Sequence, residues 1–210
     1  MGDNDSTKQL HEAYRSKSAE ETSGVYDDWA GEYEGHMANV GYTHPAMVAS
    51  MMSRHVAPTG DPILDAGTGT GIMGEILTAL GYTDLTGLDS SEGMLARAAE
   101  KGKYKRLSHA FLGQALDFAD NAFAAVVSAG VFTQGHAPLS GFDELVRVTR
   151  PGGILAFSVS RAYLEGPFEE KSGQLERDGL WCAVDASARY DSTPLVEEAL
   201  ISQVFAYQAV

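Results

Sequence analysis

Apolar residues fall four apart at Val25, Trp29, Tyr33 and Met37, which predicts an amphipathic helix over residues 25–37. Before it the chain is polar, and Ser18–Gly24 reads as a loop following one short helix. A second helix is expected over His44–Val56, with Pro45 in its first turn. The turn cluster Pro58-Thr-Gly-Asp-Pro62 then separates two regimes. Beyond it short apolar runs alternate with helical stretches. Strands are expected at 63–66, 84–88, 104–110, 123–129 and 154–160, with helices at 72–80, 93–101 and 139–149 between them. Alternation of this kind implies crossover units, a mostly parallel sheet and helices on both faces. A further helix is expected near 168–177. Two last strand-like runs, 181–190 and 199–207, are too closely joined for a helical crossover and read as an antiparallel pair at the sheet edge. The expectation is a seven-stranded doubly wound α/β sheet, with an antiparallel strand at its C-terminal end.

Length and charge narrow the partners. At 210 residues one domain is expected, with residues 1–57 a helical cap on an α/β core of residues 58–210. The formal charge of −14 argues against a surface that tracks nucleic-acid phosphates. The single cysteine, Cys182, excludes an internal disulfide framework and any cysteine-based zinc cluster. No histidine pair has metal-ligand spacing, so no metal is expected. Neither a signal peptide nor a membrane-spanning run is visible, and a cytoplasmic protein is expected. Residues 1–6 fit a myristoylation pattern, but two aspartates follow Gly2 with no basic patch, and an acidic tail is the favoured reading.

The chemistry concentrates at Ile63–Gly71, which reads I-L-D-A-G-T-G-T-G: a strand, a glycine turn, then a helix. The glycines permit a sharp turn and close approach of a ligand to the main chain. Asp89 ends the next strand, where a doubly wound sheet meets ribose hydroxyls. Gly69, Gly71 and Gly74 also spell the dinucleotide fingerprint G-x-G-x-x-G, with Asp89 twenty residues on from Gly69. Asp65 separates the two readings. A carboxylate ending the first strand repels a pyrophosphate and suits a ligand carrying an ammonium group. The glycine register Gly67, Gly69, Gly71 also starts the turn at the strand end, as the dinucleotide register does not.

With these motifs the chain resembles the class I S-adenosylmethionine-dependent methyltransferases, a Rossmann-like family. Asp89–Ala98 (D-S-S-E-G-M-L-A-R-A), Leu116–Ser128 and Arg147–Gly153 (R-V-T-R-P-G-G) are similar to its later segments. Tyr26–Tyr33 and Gly130–Pro138 are similar to the Williams–Beuren syndrome region methyltransferase-like proteins. The resemblance implies S-adenosylmethionine as methyl donor and S-adenosylhomocysteine as product. It implies donor contacts from Asp65, Gly67, Thr68, Gly69 and Gly71, from Asp89 and Ser90 at the ribose, and from Met94 beside adenine. Gly130, and Tyr26 or Tyr33 at the methionine end, join them. The family's acid after the third strand is missing. Counting back from Leu116 gives Leu112, Gly113 and Gln114, so adenine recognition is expected from backbone groups or Gln114, with Ala115 and Leu116 beside it.

His136 follows the fourth strand and is the candidate general base. No Asp/Asn-Pro-Pro-Tyr/Phe signature is present there; the chain has Ser128-Ala-Gly-Val131. Its absence, with the acidity, favours a small-molecule acceptor for a monomer or homodimer. The alternatives are a protein or RNA acceptor, a donor-binding domain without activity, and nicotinamide or flavin chemistry.

Overall fold

The computed structural model describes Gln9, residues 18–197 and residues 199–210. The candidate myristoylation site and the expected first helix lie outside these residues.

The expected helix over residues 25–37 is two helices. The first, α1, runs Ala19–Trp29 and begins six residues earlier than its apolar pattern. Ser18 caps it, with its hydroxyl accepting from the Glu21 amide at 3.2 Å. Ser18-x-x-Glu21 is the sequence form of a capping box, so this segment is helix and not loop. The chain then turns over Ala30–Glu32, where Gly31 weakens helix propagation. Helix α2 spans Tyr33–Val40 and ends at Gly41, whose left-handed φ of 71° lets two amides return to the Met37 and Ala38 carbonyls. Helix α3 covers His44–Ser53.

The core follows as β1 (Ile63–Ala66), α4 (Ile72–Ala79), β2 (Leu85–Asp89), α5 (Glu92–Lys101), β3 (Arg106–His109), β4 (Phe123–Phe132), α6 (Gly141–Val148) and β5 (Thr149–Ser160). Next come α7 (Arg161–Leu164), α8 (Pro167–Arg177), β6 (Trp181–Ala186), β7 (Tyr190–Asp191) and β8 (Ile201–Ala209). The strand order is β3-β2-β1-β4-β5-β8-β6, with the two-residue β7 also paired to β8. Strands β1 to β5 are parallel to one another, and β8 is antiparallel to β5, β6 and β7. This is the expected doubly wound sheet, with eight strands among the described residues where seven were expected. The run expected as one strand at 181–190 divides at Ser187, whose hydroxyl accepts the Val204 amide, leaving β7 as a separate short strand.

Both faces are buried. Phe132, Phe142, Phe157, Phe168, Trp181 and Tyr207 pack on one side, and Val48, Met52, Met73 and Leu77 on the other. Burial on two faces explains why β1, β4 and β5 are continuous apolar runs with no alternation. Chain order reverses between β1 and β4, and a doubly wound sheet opens its ligand crevice at the carboxyl ends of the strands there. No described helix is long and apolar enough to cross a membrane.

Candidate active site

The turn after β1 is closed by backbone and carboxylate together. The Gly67 and Thr68 amides both donate to the Leu88 carbonyl, at 2.8 and 2.9 Å, so the turn is stitched to the end of β2. Gly67 has φ 86°, and a Cβ there would collide with Val131 of β4. At Gly69 (φ 54°) an added Cβ would meet nothing within 4 Å, because open space lies before the turn. Asp89 braces the arrangement. Its Oδ2 accepts the Gly69 amide at 2.7 Å and its Oδ1 the Ser91 amide at 2.9 Å.

In front of the turn lies a cavity of about 1190 Å³ counted to its open mouth. Gly67, Gly69, Asp89, Ser90 and Met94 line one end, with Ala110, Phe111 and Leu112 as apolar walls. Tyr42, His44, Ser158, Ser160 and Thr193 line the other, and Gly130 and Val131 lie in the lining as well.

Helix α1 straps the cavity from rim to rim. On the β2 side the Ser23 hydroxyl donates to the Ser90 carbonyl at 2.6 Å, and Asp27 Oδ1 accepts from the Ser91 hydroxyl and the Gly93 amide at 2.6 and 2.8 Å. On the β4 side the Thr22 hydroxyl donates to the Gly135 carbonyl at 2.7 Å, and Tyr26 Oη lies 2.7 Å from His136 Nε2. Tyr26 and Trp29 stack at 5.8 Å between centroids, so the aromatic stripe both packs and faces the cavity. Lys101 ties α2 down through Glu34, at 2.7 Å.

Two acids dominate the electrostatics. Burial pushes the Asp65 carboxyl up to about 7; the Tyr104 hydroxyl, donating to it at 2.6 Å, pulls the other way, and the Asp89 charge adds to the rise. Burial also raises Asp89, against the backbone amides of Ser91, Gly69 and Ser90 that favour its charge. No lysine or arginine among the described residues lines the cavity. Burial lowers both cavity histidines, His44 to about 4 and His136 below its ordinary value. His136 Nδ1 sits 3.1 Å from the Gln134 carbonyl and must donate to it, which leaves Nε2 to accept from Tyr26.

Of the residues singled out from the sequence, Tyr26, Tyr33, Gly67, Gly69, Asp89, Ser90, Met94, Gly130 and His136 all line this one cavity. Asp65, Thr68 and Gly71 stand behind it. The Asp65 side chain points to Tyr104, the Thr68 hydroxyl donates to the Asp65 carbonyl at 2.9 Å, and Gly71 packs on Ala98. Gln114 and Ala115 are exposed and Leu116 is in the core; none of the three lines the cavity. The apolar wall comes instead from residues 110–112, because the chain reaches the cavity directly as it leaves β3. His44 and the strap contacts of Thr22 and Asp27 carry no sequence motif that marks them as site residues.

Residues 64–157 match the family model described as "Methyltransferase domain". Human methyltransferase-like protein 27 is 33% identical over 163 residues, covering 74% of this chain and 66% of that protein. A demethylmenaquinone methyltransferase from Renibacterium salmoninarum is 30% identical over 164 residues, covering 76% of this chain and 67% of its own. The chain thus spans about two thirds of the length of the relatives it matches. Among solved structures, a TehB-like S-adenosylmethionine-dependent methyltransferase from Corynebacterium glutamicum aligns with a TM-score of 0.63 at 20% identity, over 89% of this chain and 99% of that one. At that identity the likeness is one of fold.

Proposed function

Because the chain belongs to the class I S-adenosylmethionine-dependent methyltransferase superfamily, we propose that it moves the methyl group of S-adenosylmethionine to a small-molecule acceptor. One observation carries this reading. Two carboxylates, the buried Asp65 and the half-buried Asp89, stand together beside a glycine turn, the Asp89 charge raising the proton affinity of Asp65, and no lysine or arginine among the described residues lines the cavity. Such a site favours a cation. It disfavours a pyrophosphate, which would meet Asp89 and find the Gly69 amide already engaged.

When bound, the donor supplies an electrophilic methyl carbon on a sulfonium. The rest is positioning by this chain. Asp89 would hold ribose hydroxyls, Met94, Phe111 and Leu112 would enclose the base, and Gly67 and Gly69 would let the methionine portion lie against the main chain. Helix α1 would shut out water. Alignment of acceptor and methyl carbon is worth roughly 7–11 kcal/mol in systems of this kind. His136 is neutral at pH 7, so Nε2 can take a proton once Tyr26 yields it. The bacterial relative is named for methylating demethylmenaquinone, a small molecule, which supports the acceptor class without identifying the acceptor. The reading places a cytoplasmic enzyme, working without a metal and without nucleic acid, as a monomer or homodimer.

Thermal melting tests the donor. S-adenosylhomocysteine at 100 times its dissociation constant adds about 2.7 kcal/mol, or roughly 5–10 °C in a domain of this size. NAD should add nothing; stabilisation by NAD alone would overturn the reading. Labelled methyl transfer into fractionated cell extract tests the acceptor. Label is expected in the small-molecule fraction, and label confined to RNA or protein would move the acceptor to those classes. Once an acceptor is in hand, His136→Ala should lower turnover by roughly 10²–10⁴ with donor affinity nearly unchanged. Turnover of the unaltered protein should fall only as pH drops below 6.5, because burial holds the imidazole below that value. A His136→Ala enzyme at full turnover removes the general base from the mechanism.

A further inference from the structure

The cavity continues past Asp89, Met94, Gly67 and Gly69, and Gly130, whose amide donates to Ser158 Oγ at 2.8 Å, borders its far end. Along β2-β1-β4-β5, Ser158 and Ser160 stand three strand spacings from Asp89, about 14 Å at 4.8 Å per strand. There β5 meets the hairpin between β7 and β8, and the N-terminus of α3 closes over it.

Two hydroxyls at this end have no partner. Thr193 is 2% exposed, and neither its Oγ1 nor the buried Ser160 Oγ makes a hydrogen bond, although both residues line the cavity. Buried side-chain oxygens without partners are rare in native proteins and call for an explanation. Looseness does not supply one. Asp191 Oδ1 accepts the Thr193 and Leu200 amides, both at 3.0 Å, and the Thr43 amide donates to the Ser192 carbonyl at 3.0 Å. The hairpin is held where it puts Thr193 in the wall.

The surroundings are polar without being charged. His44 Nδ1 is 2.6 Å from Tyr190 Oη, and burial keeps the imidazole neutral at any pH above about 4. Tyr42 stands edge-on to His44, and Met37, Val131 and Leu200 supply apolar surface. Among the described residues no carboxylate, lysine or arginine lines this end of the cavity, and Asp191, behind the wall, spends Oδ1 on the hairpin amides.

We infer that this end of the cavity is the acceptor subsite, that the Ser160 and Thr193 hydroxyls anchor a hydroxyl or carbonyl oxygen, and that the acceptor is uncharged and mainly apolar. The inference rests on the methyl-transfer reading and names the substrate class for it. Selection works by exclusion as well as attraction: a charged acceptor would give up its water and find no counter-charge, whereas a neutral oxygen would pair with hydroxyls that otherwise have no partner.

The test uses the full chain saturated with S-adenosylhomocysteine and three probes of one shape: 2-naphthol, 2-naphthoate and 2-naphthylmethylamine. Calorimetry should show the neutral probe binding at least tenfold more tightly than either charged one. Ser160→Ala and Thr193→Val should each weaken 2-naphthol about 3- to 10-fold, the range for one hydrogen bond between neutral groups, with no change for S-adenosylhomocysteine. Thr193→Ser, which keeps the hydroxyl, should bind like the unaltered protein. The probe comparison needs no variant, so a misfolded substitution does not rescue the idea. A charged probe that binds as well as 2-naphthol, or unchanged naphthol binding in both hydroxyl-deleted variants, overturns it. If S-adenosylhomocysteine binds and the neutral probe shows no preference, only this inference fails; if S-adenosylhomocysteine does not bind, the methyl-transfer reading fails with it.

Discussion

Asp89→Ala should weaken S-adenosylhomocysteine by two to three orders of magnitude, more than loss of ribose contacts alone would give. Each carboxylate oxygen is already engaged, Oδ2 by the Gly69 amide at 2.7 Å and Oδ1 by the Ser91 amide at 2.9 Å. Ribose hydroxyls would use the remaining lone pairs. Truncation therefore removes a charge-assisted bond to ligand, about 1.5–3 kcal/mol, and leaves the Gly69 N–H without its partner, about 1–3 kcal/mol more. A combined loss of about 3–4 kcal/mol corresponds to roughly 10²–10³ in affinity. Asp89→Asn is the informative companion. Its one oxygen can serve Gly69 or Ser91 but not both, and its amide presents N–H to the other, so it should bind nearly as poorly as the alanine variant. Calorimetry on variants whose melting stays within a few degrees of the parent decides the matter. A folded Asp89→Ala with affinity within threefold of the parent would confine Asp89 to bracing the turn.

The glycine turn and Asp89 were legible because each is demanded by local geometry. A strand that ends in a left-handed turn needs glycine, and the acid one crossover later sits at the neighbouring strand end whatever the rest of the chain does. The start of α1 was missed for the converse reason. Residues 19–24 carry no apolar period, and only the cap, Ser18 with Glu21, announces the helix. Gln114, Ala115 and Leu116 were placed at adenine by counting from a similar segment, a procedure that one irregular turn defeats. Here Leu116 enters the core and Phe111 and Leu112 make the wall. The far end of the cavity had no sequence signal. His44 and Thr193 come from opposite ends of the chain, and what joins them is the antiparallel hairpin, with the Thr43 amide bound to the Ser192 carbonyl. Periodicity predicts elements; it does not say which loops they bring together.

Asp65→Asn should stabilise the protein at pH 8 and weaken its hold on the cationic donor. The carboxyl has an ordinary value of 3.8 in the unfolded chain and about 7 in the folded one. Between those values the folded state keeps a proton that the unfolded state has lost, so stability falls as pH rises from about 4 through 7. By pH 8 the accumulated cost is on the order of 4 kcal/mol, from about three units at 1.36 kcal/mol each. Asparagine carries no such cost, and its oxygen can accept from Tyr104 as the carboxylate does at 2.6 Å. The variant should thus melt on the order of 10 °C higher than the parent at pH 8 and within a degree or two of it at pH 4. His44 titrates oppositely: with its folded value lowered to about 4 it takes stability away as pH falls below 6.5. It is present in both proteins and cancels in the difference. Asp65 does not line the cavity, so its effect on a ligand is that of a charge held behind the turn. A bound cation would favour the ionised form, and the asparagine variant should bind S-adenosylmethionine at least tenfold more weakly. Parent and variant melting together at both pH values would show that Asp65 carries no burial cost. Equal donor affinity would show that the cation does not feel its charge. Both expected results together would mark Asp65 as a residue kept for binding at the expense of stability.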